Sequence, residues 1–195
     1  MAVNLVKGQK ISLSKESGGS LSRLLVGLGW DLPLLKLQSF DLDAFAFVCG
    51  EDGKMGSLKD VVYFANLEHP SKAVIHTGDN LTGEGEGDDE QMLIDLNRLP
   101  EEYTKILLGV CIYLGDKRKQ SFDKVKNAFV RIEDRDTGKE LCRYVLSDNE
   151  KFAGKTNMIF GEIYRRGDEW KFSAVGEGTE DVSITPMFSA KYLRS

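Results

Sequence analysis

The sequence predicts an all-β fold, a β-sandwich of two mainly antiparallel sheets with one or two short helices. Three observations predict it. Short β-branched and aromatic runs recur every ten to twenty residues, and turn-forming residues separate them. No stretch carries the ten or more residues of helical period that a βαβ unit needs.

In residues 40–49, Phe45, Phe47 and Cys49 point to one face while Leu42, Ala44, Ala46 and Val48 point to the other. With both faces apolar, this is a central strand packed on both sides, or a sheet edge against a loop. Val61-Val62-Tyr63-Phe64 and Ala73-Val74-Ile75-His76 are further short runs, the second ended by Gly78. Residues 105–114 are almost continuously apolar, and Ile106, Leu108, Val110, Ile112 and Leu114 supply one core face. Residues 129–132 and 141–146 flank Asp134-Arg135-Asp136-Thr137-Gly138, a hairpin turn. Residues 158–164 and 170–175 flank a second, Arg165-Arg166-Gly167-Asp168-Glu169, in which Arg166-Gly167-Asp168 reads as a tight turn and not an adhesion motif. Short helices are expected at 100–105 and 120–126. One domain over residues 1–195 is expected, long enough to bury a core without staples.

Composition excludes several classes. Charged residues make up 29% of the chain and the net charge is −5, with no basic run of the kind phosphate contacts need, so direct nucleic-acid binding is not expected. Cys49, Cys111 and Cys142 each lie in or beside an apolar run and read as buried, reduced thiols. With His69 and His76 as the only histidines and no Cys-x-x-Cys, zinc spacing is missing. Asn4 and Lys7 break the first apolar run, so it is no secretory signal, and no stretch of about 18 apolar residues exists to span a bilayer. A soluble, cytoplasmic protein is expected.

Chemistry concentrates in Gly78-Asp79-Asn80-Leu81-Thr82-Gly83-Glu84-Gly85-Glu86-Gly87-Asp88-Asp89-Glu90. Six carboxylates lie within the twelve residues 79–90, with glycine at 83, 85 and 87. Two like charges about 5 Å apart cost roughly 3 kcal/mol at an effective dielectric near 20. Such a loop is therefore solvated and extended, or a cation neutralises it. The alternating glycines favour the second, because converging oxygens need left-handed backbone and close approach. Calcium takes six to eight hard oxygens, which Asp79, Asn80, Glu84, Asp88, Asp89 and Glu90 can supply; magnesium is the rival ion. Leu81 and Gly83 stand where an EF-hand needs ligands, and Glu84 where it needs its turn glycine. Nor is this a P-loop, since Gly83 is followed by Glu84.

Asp41 and Asp43, at i and i+2, share a face at the start of their strand and are further candidates; the plain alternative is a solvated strand start. Asp31 follows Trp30 at the strand end after Gly27-Leu28-Gly29, where a turn or cap role competes with a ligand role. Loops gathered at one end of a sandwich can bring all three to the 79–90 loop. On repulsion alone, Asp88→Asn is expected to spare or raise the melting point of the metal-free protein.

Asp41-Leu42-Asp43-Ala44, the 78–90 string, Leu96, Gln120-Ser121-Phe122, Arg131, Tyr144, Tyr164-Arg165 and Trp170-Lys171-Phe172 resemble the TerD family of bacterial tellurite-resistance and general stress proteins. The resemblance spans nearly the whole chain. It implies a β-sandwich with C2-like appearance and two calcium ions in loops at one end. It also implies a role in resistance to tellurite and other chemical or phage stress, with other tellurite-resistance proteins in a membrane-associated complex. The set that matches is Asp41, Asp43, Asp79, Asn80, Asp88, Asp89 and Glu90, and Asp31 is similar to an acidic position of the family.

A non-enzymatic calcium-dependent module is thus the leading expectation. The alternative is an enzyme, either a metal-dependent hydrolase with His76 as general base or a thiol-based reductase, which needs an exposed low-pKa thiol. A calcium-dependent membrane binder is a third reading, with Leu81 as the one apolar residue near the loop tip.

Overall fold

Period-two patterning is what organises the chain. A computed structural model describes residues 2–19, 21–30, 40–78, 87–125, 128–145, 150–179, 181 and 183–194. One sheet contains β1 (Val3–Leu5), β3 (Arg23–Gly29), β6 (Val74–His76), β7 (Glu90–Asp95), β9 (Phe129–Asp134) and β10 (Lys139–Val145), in the order β1-β10-β9-β3-β7-β6. The other contains β2 (Lys10–Ser12), β4 (Leu42–Cys49), β5 (Val61–Val62), β8 (Lys105–Ile112), β11 (Asn157–Arg166) and β12 (Glu169–Thr179), in the order β2-β12-β11-β8-β4-β5. Every pairing is antiparallel except β1 with β10. The expected sandwich of two mainly antiparallel sheets is therefore the fold.

Strand β4 is buried along its whole length, as two apolar faces require. Leu42, Ala44, Ala46 and Val48 join the core between the sheets, with Ile106, Leu108, Val110 and Ile112 of β8. Phe45, Phe47 and Cys49 face outward into a second core with Met55, Leu107 and Ile159. That outer core is roofed by the segment near the C-terminus. Ile184 is buried in it, Tyr192 packs 5.0 Å from the Phe47 ring, and Met55 N–H donates to the Tyr192 carbonyl. Full burial of one Leu or Phe side chain is worth about 1.5–3 kcal/mol, which is what justifies a strand without a polar face.

Both expected hairpins form. At the first, Asp134 turns the chain by accepting Asp136 N–H on its side chain and Gly138 N–H on its carbonyl, and Gly138 takes a φ of +69°. The second closes Arg166 against Glu169 through Gly167 at φ +61°. The helix expectations fare differently. Residues 100–104 form only a turn, Tyr103 N–H to the Pro100 carbonyl, before β8 begins. At 120–126 there is one 3-10 turn, Phe122–Lys124, short because Phe122 is buried as a core plug. A helical turn that patterning does not announce, Gly115–Arg118, lies between left-handed Leu114 and Lys119. The chain reverses there, so Leu114 is exposed instead of extending the β8 core face.

Residues 50–72 are fixed by a polar knot. Asp60 is buried; it accepts Gly56 and Ser57 N–H (2.9 Å each) and the Tyr103 hydroxyl (3.0 Å), and lies 3.3 Å from His69 Nε2. Among the described residues no helix is long and apolar enough to cross a membrane.

Candidate functional site

The acidic segment leaves β6 at His76 and re-enters the sheet as β7 at Glu90. Gly78 and Gly87, which bracket its middle, have φ of +128° and +102°, the left-handed backbone expected of loop glycines. Asp79, Asn80 and Glu84 lie outside the described residues, as does Asp31.

The three carboxylates that close the segment are each locked to a different strand. Asp88 is forked by Arg131 of β9: Nε donates to Oδ1 at 2.7 Å and Nη2 to Oδ2 at 2.8 Å. Gln91 adds a third donor at 3.1 Å, and the Asp88 side chain is 1% exposed. Asp89 Oδ2 accepts the Trp30 N–H at the end of β3 (2.9 Å), while its own N–H donates to the Leu28 carbonyl. Glu90 points between the sheets and accepts Ala44 N–H from β4 at 2.6 Å, tying one sheet to the other.

Sequence reasoning missed the support under Asp88. Gly27 stands between Gln91 and Arg131 across β7, β3 and β9. The carboxylate lies over it, and a methyl group at that position would overlap the carboxylate. At Gly29 an added methyl would sit 2.7 Å from the Gly87 carbonyl. The signal in the sequence was Gly27-Leu28-Gly29, two outward glycines in a strand, which mark a close approach. Arg131 is held above its ordinary value, first by its hydrogen bonds to Asp88.

Asp41, Asp43 and Glu90 gather at this end, all buried. Cys111 lies against Asp43, its Sγ donating to Asp43 Oδ2 at 3.5 Å. Burial pushes that thiol well above its usual range, and the charges of Asp43, Glu90 and Asp41 add to the effect. Arg118 approaches Asp41 at 4.0 Å, and the Tyr113 N–H donates to the Asp41 carbonyl. Burying three carboxylates together is unfavourable without compensating positive charge. The donor set is all hard oxygen and suits calcium in kind. Among the described residues, however, no three such groups converge closely enough to hold an ion, so donors from residues 79–86 would have to complete a site.

His76 is sealed: its Nδ1 accepts Gly78 N–H at 3.2 Å, which leaves the proton on Nε2, 3.5 Å from Glu90 Oε2. With its side chain fully buried, it has no access to a substrate arriving from solvent. The thiols are equally closed. Burial pushes Cys49 and Cys142 up to about 12, the reverse of what a nucleophilic thiol needs.

A two-sheet sandwich with a carboxylate-rich end, the last acids of its loop pinned to three strands, is the kind of framework that the resemblance implies. Comparison with known proteins places it. The TerD domain model matches residues 1–188, and the chain belongs to the TerD family. It is 45% identical to stress response protein SCP2 of Bacillus subtilis (strain 168) over 201 residues, covering 97% of this chain and 98% of that protein. It is also 45% identical to tellurium resistance protein TerD of Serratia marcescens over 178 residues, covering 91% of each. The crystal structure of a homologue of telluride resistance protein TerD from Streptomyces coelicolor A3(2) superposes with a TM-score of 0.68 at 26% identity, covering 85% of this chain and 95% of that one.

Proposed function

We propose that the chain is a calcium-binding, non-enzymatic interaction module of the stress response, acting in resistance to tellurite and other chemical or phage stress. The observation that carries the reading is the fixing of Asp88, Asp89 and Glu90 to three different strands beside buried Asp41 and Asp43. Such an arrangement holds the C-terminal end of the acidic segment in place beside the other proposed donors. Asp31, Asp41, Asp43, Asp79, Asn80, Glu84, Asp88, Asp89 and Glu90 are the donors from which two calcium sites would be built. Membership of a family with relatives named for tellurium resistance and stress response supports the physiological half of the reading. The module works in the cytoplasm, without direct nucleic-acid contact, alongside other tellurite-resistance proteins in a membrane-associated complex.

The enzyme alternative has less support. A thiol reductase needs an accessible thiolate, and all three cysteines are buried. Isothermal calorimetry on chelator-treated protein tests the calcium half directly. Calcium is expected to bind at micromolar levels or tighter and magnesium far more weakly, because a small octahedral ion does not accommodate so many carboxylates while keeping its waters. Equal affinities, or no heat with calcium, would sink it.

A further inference from the structure

We propose that the corner where β5 and β8 end is a docking surface for an acidic segment of another protein, which inserts one aliphatic side chain into an apolar socket beside a row of cations. The inference gives the interaction module a surface and a class of partner, and it needs no bound ion. Phe64 comes just after β5, Tyr113 and Leu114 just after β8, and the three are 36%, 40% and 38% exposed. The Phe64 and Tyr113 rings stand edge to face at 6.0 Å. With Leu114, Tyr63, Ile112 and Ile184 they line a socket of about 100 Å³. Small-molecule pockets run to roughly 300–1,000 Å³, so this one suits a side chain and not a cofactor.

Leu114 is held there against its own preference. Its φ is +52° and its ψ +29°, left-handed backbone that crowds Cβ against the following carbonyl oxygen. Lys119, at the other end of the helical turn Gly115–Arg118, is left-handed as well, at φ +54°. Strain of this kind gathers where a residue is presented to a ligand, and a leucine both strained and exposed has its use outside the chain. The same turn supplies charge. The Arg118 guanidinium lies 5.5 Å over the Tyr113 ring centre, so the aromatic rim and the cations form one surface, and buried Asp41 steadies the arginine from 4.0 Å. Lys117 and Lys119 are exposed and make no ion pair among the described residues. Lys124 joins them, its Nζ donating to the Lys119 carbonyl at 3.1 Å. Residues 115–125 thus carry four cations against the carboxylates of Asp116 and Asp123, in a chain whose net charge is −5. An aromatic rim, an arginine on it and a local charge opposite to that of the whole molecule fit a partner whose carboxylates flank one apolar anchor. An anionic membrane calls for apolar side chains that stand out of the surface, whereas these wall a recess.

The probe is a synthetic peptide of Asp and Glu around one central Leu, titrated in chelator into isotope-labelled protein while backbone amide shifts are followed by NMR. Saturating shifts confined to residues 63–64 and 112–119 are expected. Exchanging the central Leu for Ser, or the acids for Lys, should weaken binding about tenfold or more, as should Phe64→Ser and the Lys117→Glu/Lys119→Glu double variant. Leu114→Gly separates presentation from support. Glycine takes the left-handed backbone freely, and the relieved strain offsets the lost packing, so the melting point should stay within about 4 °C of the wild type while peptide affinity falls about tenfold. No shifts at these residues, equal binding of the Ser or Lys peptide, or wild-type affinity in Leu114→Gly overturns the inference. So does binding of phosphatidylglycerol vesicles through these residues with none of the peptide, which makes the surface a membrane contact. Because the titration is run without calcium, its failure leaves the calcium reading standing, and a wild type that gives no calcium heat leaves this inference standing.

Discussion

With its carboxylate forked by Arg131 and its side chain 1% exposed, Asp88 stabilises the metal-free protein instead of repelling its neighbours. Asp88→Asn, expected from charge repulsion to be harmless without metal, strips a half-buried arginine of its main partner. The metal-free melting point should fall by about 4–8 °C, corresponding to a loss of about 2 kcal/mol. A thermal melt in chelator checks it, and a value at or above that of the wild type returns Asp88 to the repelling group. The thiols carry a second expectation. Cys49 and Cys142 lose their protons only near pH 12 when folded, whereas an unfolded thiol does so near 8.5. Since the unfolded chain releases protons first, stability falls as pH rises from about 9 towards 12. Urea midpoints should drop across that window, and less steeply in Cys49→Val. A thiol reagent at neutral pH should react only as fast as the chain unfolds; rapid modification of any native cysteine would revive the reductase.

Elements packed on two faces were the most legible in the sequence. The alternation of Phe45, Phe47 and Cys49 with Leu42, Ala44, Ala46 and Val48 announced a doubly buried strand, because nothing else tolerates apolar residues at every position. What covers the outer face was not legible. The segment carrying Ile184 and Tyr192 has no periodicity of its own and earns its place by packing on β4 and β5. The same holds for β7, whose outward positions Gln91, Leu93 and Asp95 follow an acidic loop and mask the inward Glu90, Met92 and Ile94. Of the site, the donor-rich loop and the Asp41/Asp43 pair were readable as composition and spacing. The Arg131 fork was not, since it joins residues 43 apart in sequence and depends on the register of β3 with β9. Truncation after residue 182 tests the roof. It should uncover Phe45, Phe47 and Ile159, produce strong binding of a hydrophobic dye and lower the melting point by well over 5 °C, about 2 kcal/mol or more. A truncated chain that melts with the full-length protein and stays dye-silent would show that the outer core needs no cover.

At the level of the whole molecule, an ion that binds only the folded state adds RT ln(1 + [L]/Kd), about 2.7 kcal/mol at a hundredfold excess over Kd. For a domain of this size the melting point should rise by about 5–11 °C with calcium, and further if two ions bind. Asp43→Asn should lose most of that rise, because Asp43 is buried with Asp41 at the start of β4 and both belong to the proposed donor set. A full rise in that variant would leave the strand-start carboxylates outside the site. The first dozen residues divide themselves between the two sheets: Val3 pairs with Cys142 in one and Ile11 with Phe172 in the other. Each short strand is an edge that finds its partner only after most of the chain has been made. Loop closure over such separations must be met before the contacts return anything, so the sandwich is a high-contact-order fold. During synthesis the leading strands emerge from the ribosome with no partner to receive them, and closure waits on the last hairpin. Until β10 and β12 are made, both sheets keep an open edge, and that interval is when the chain is most exposed to mispairing.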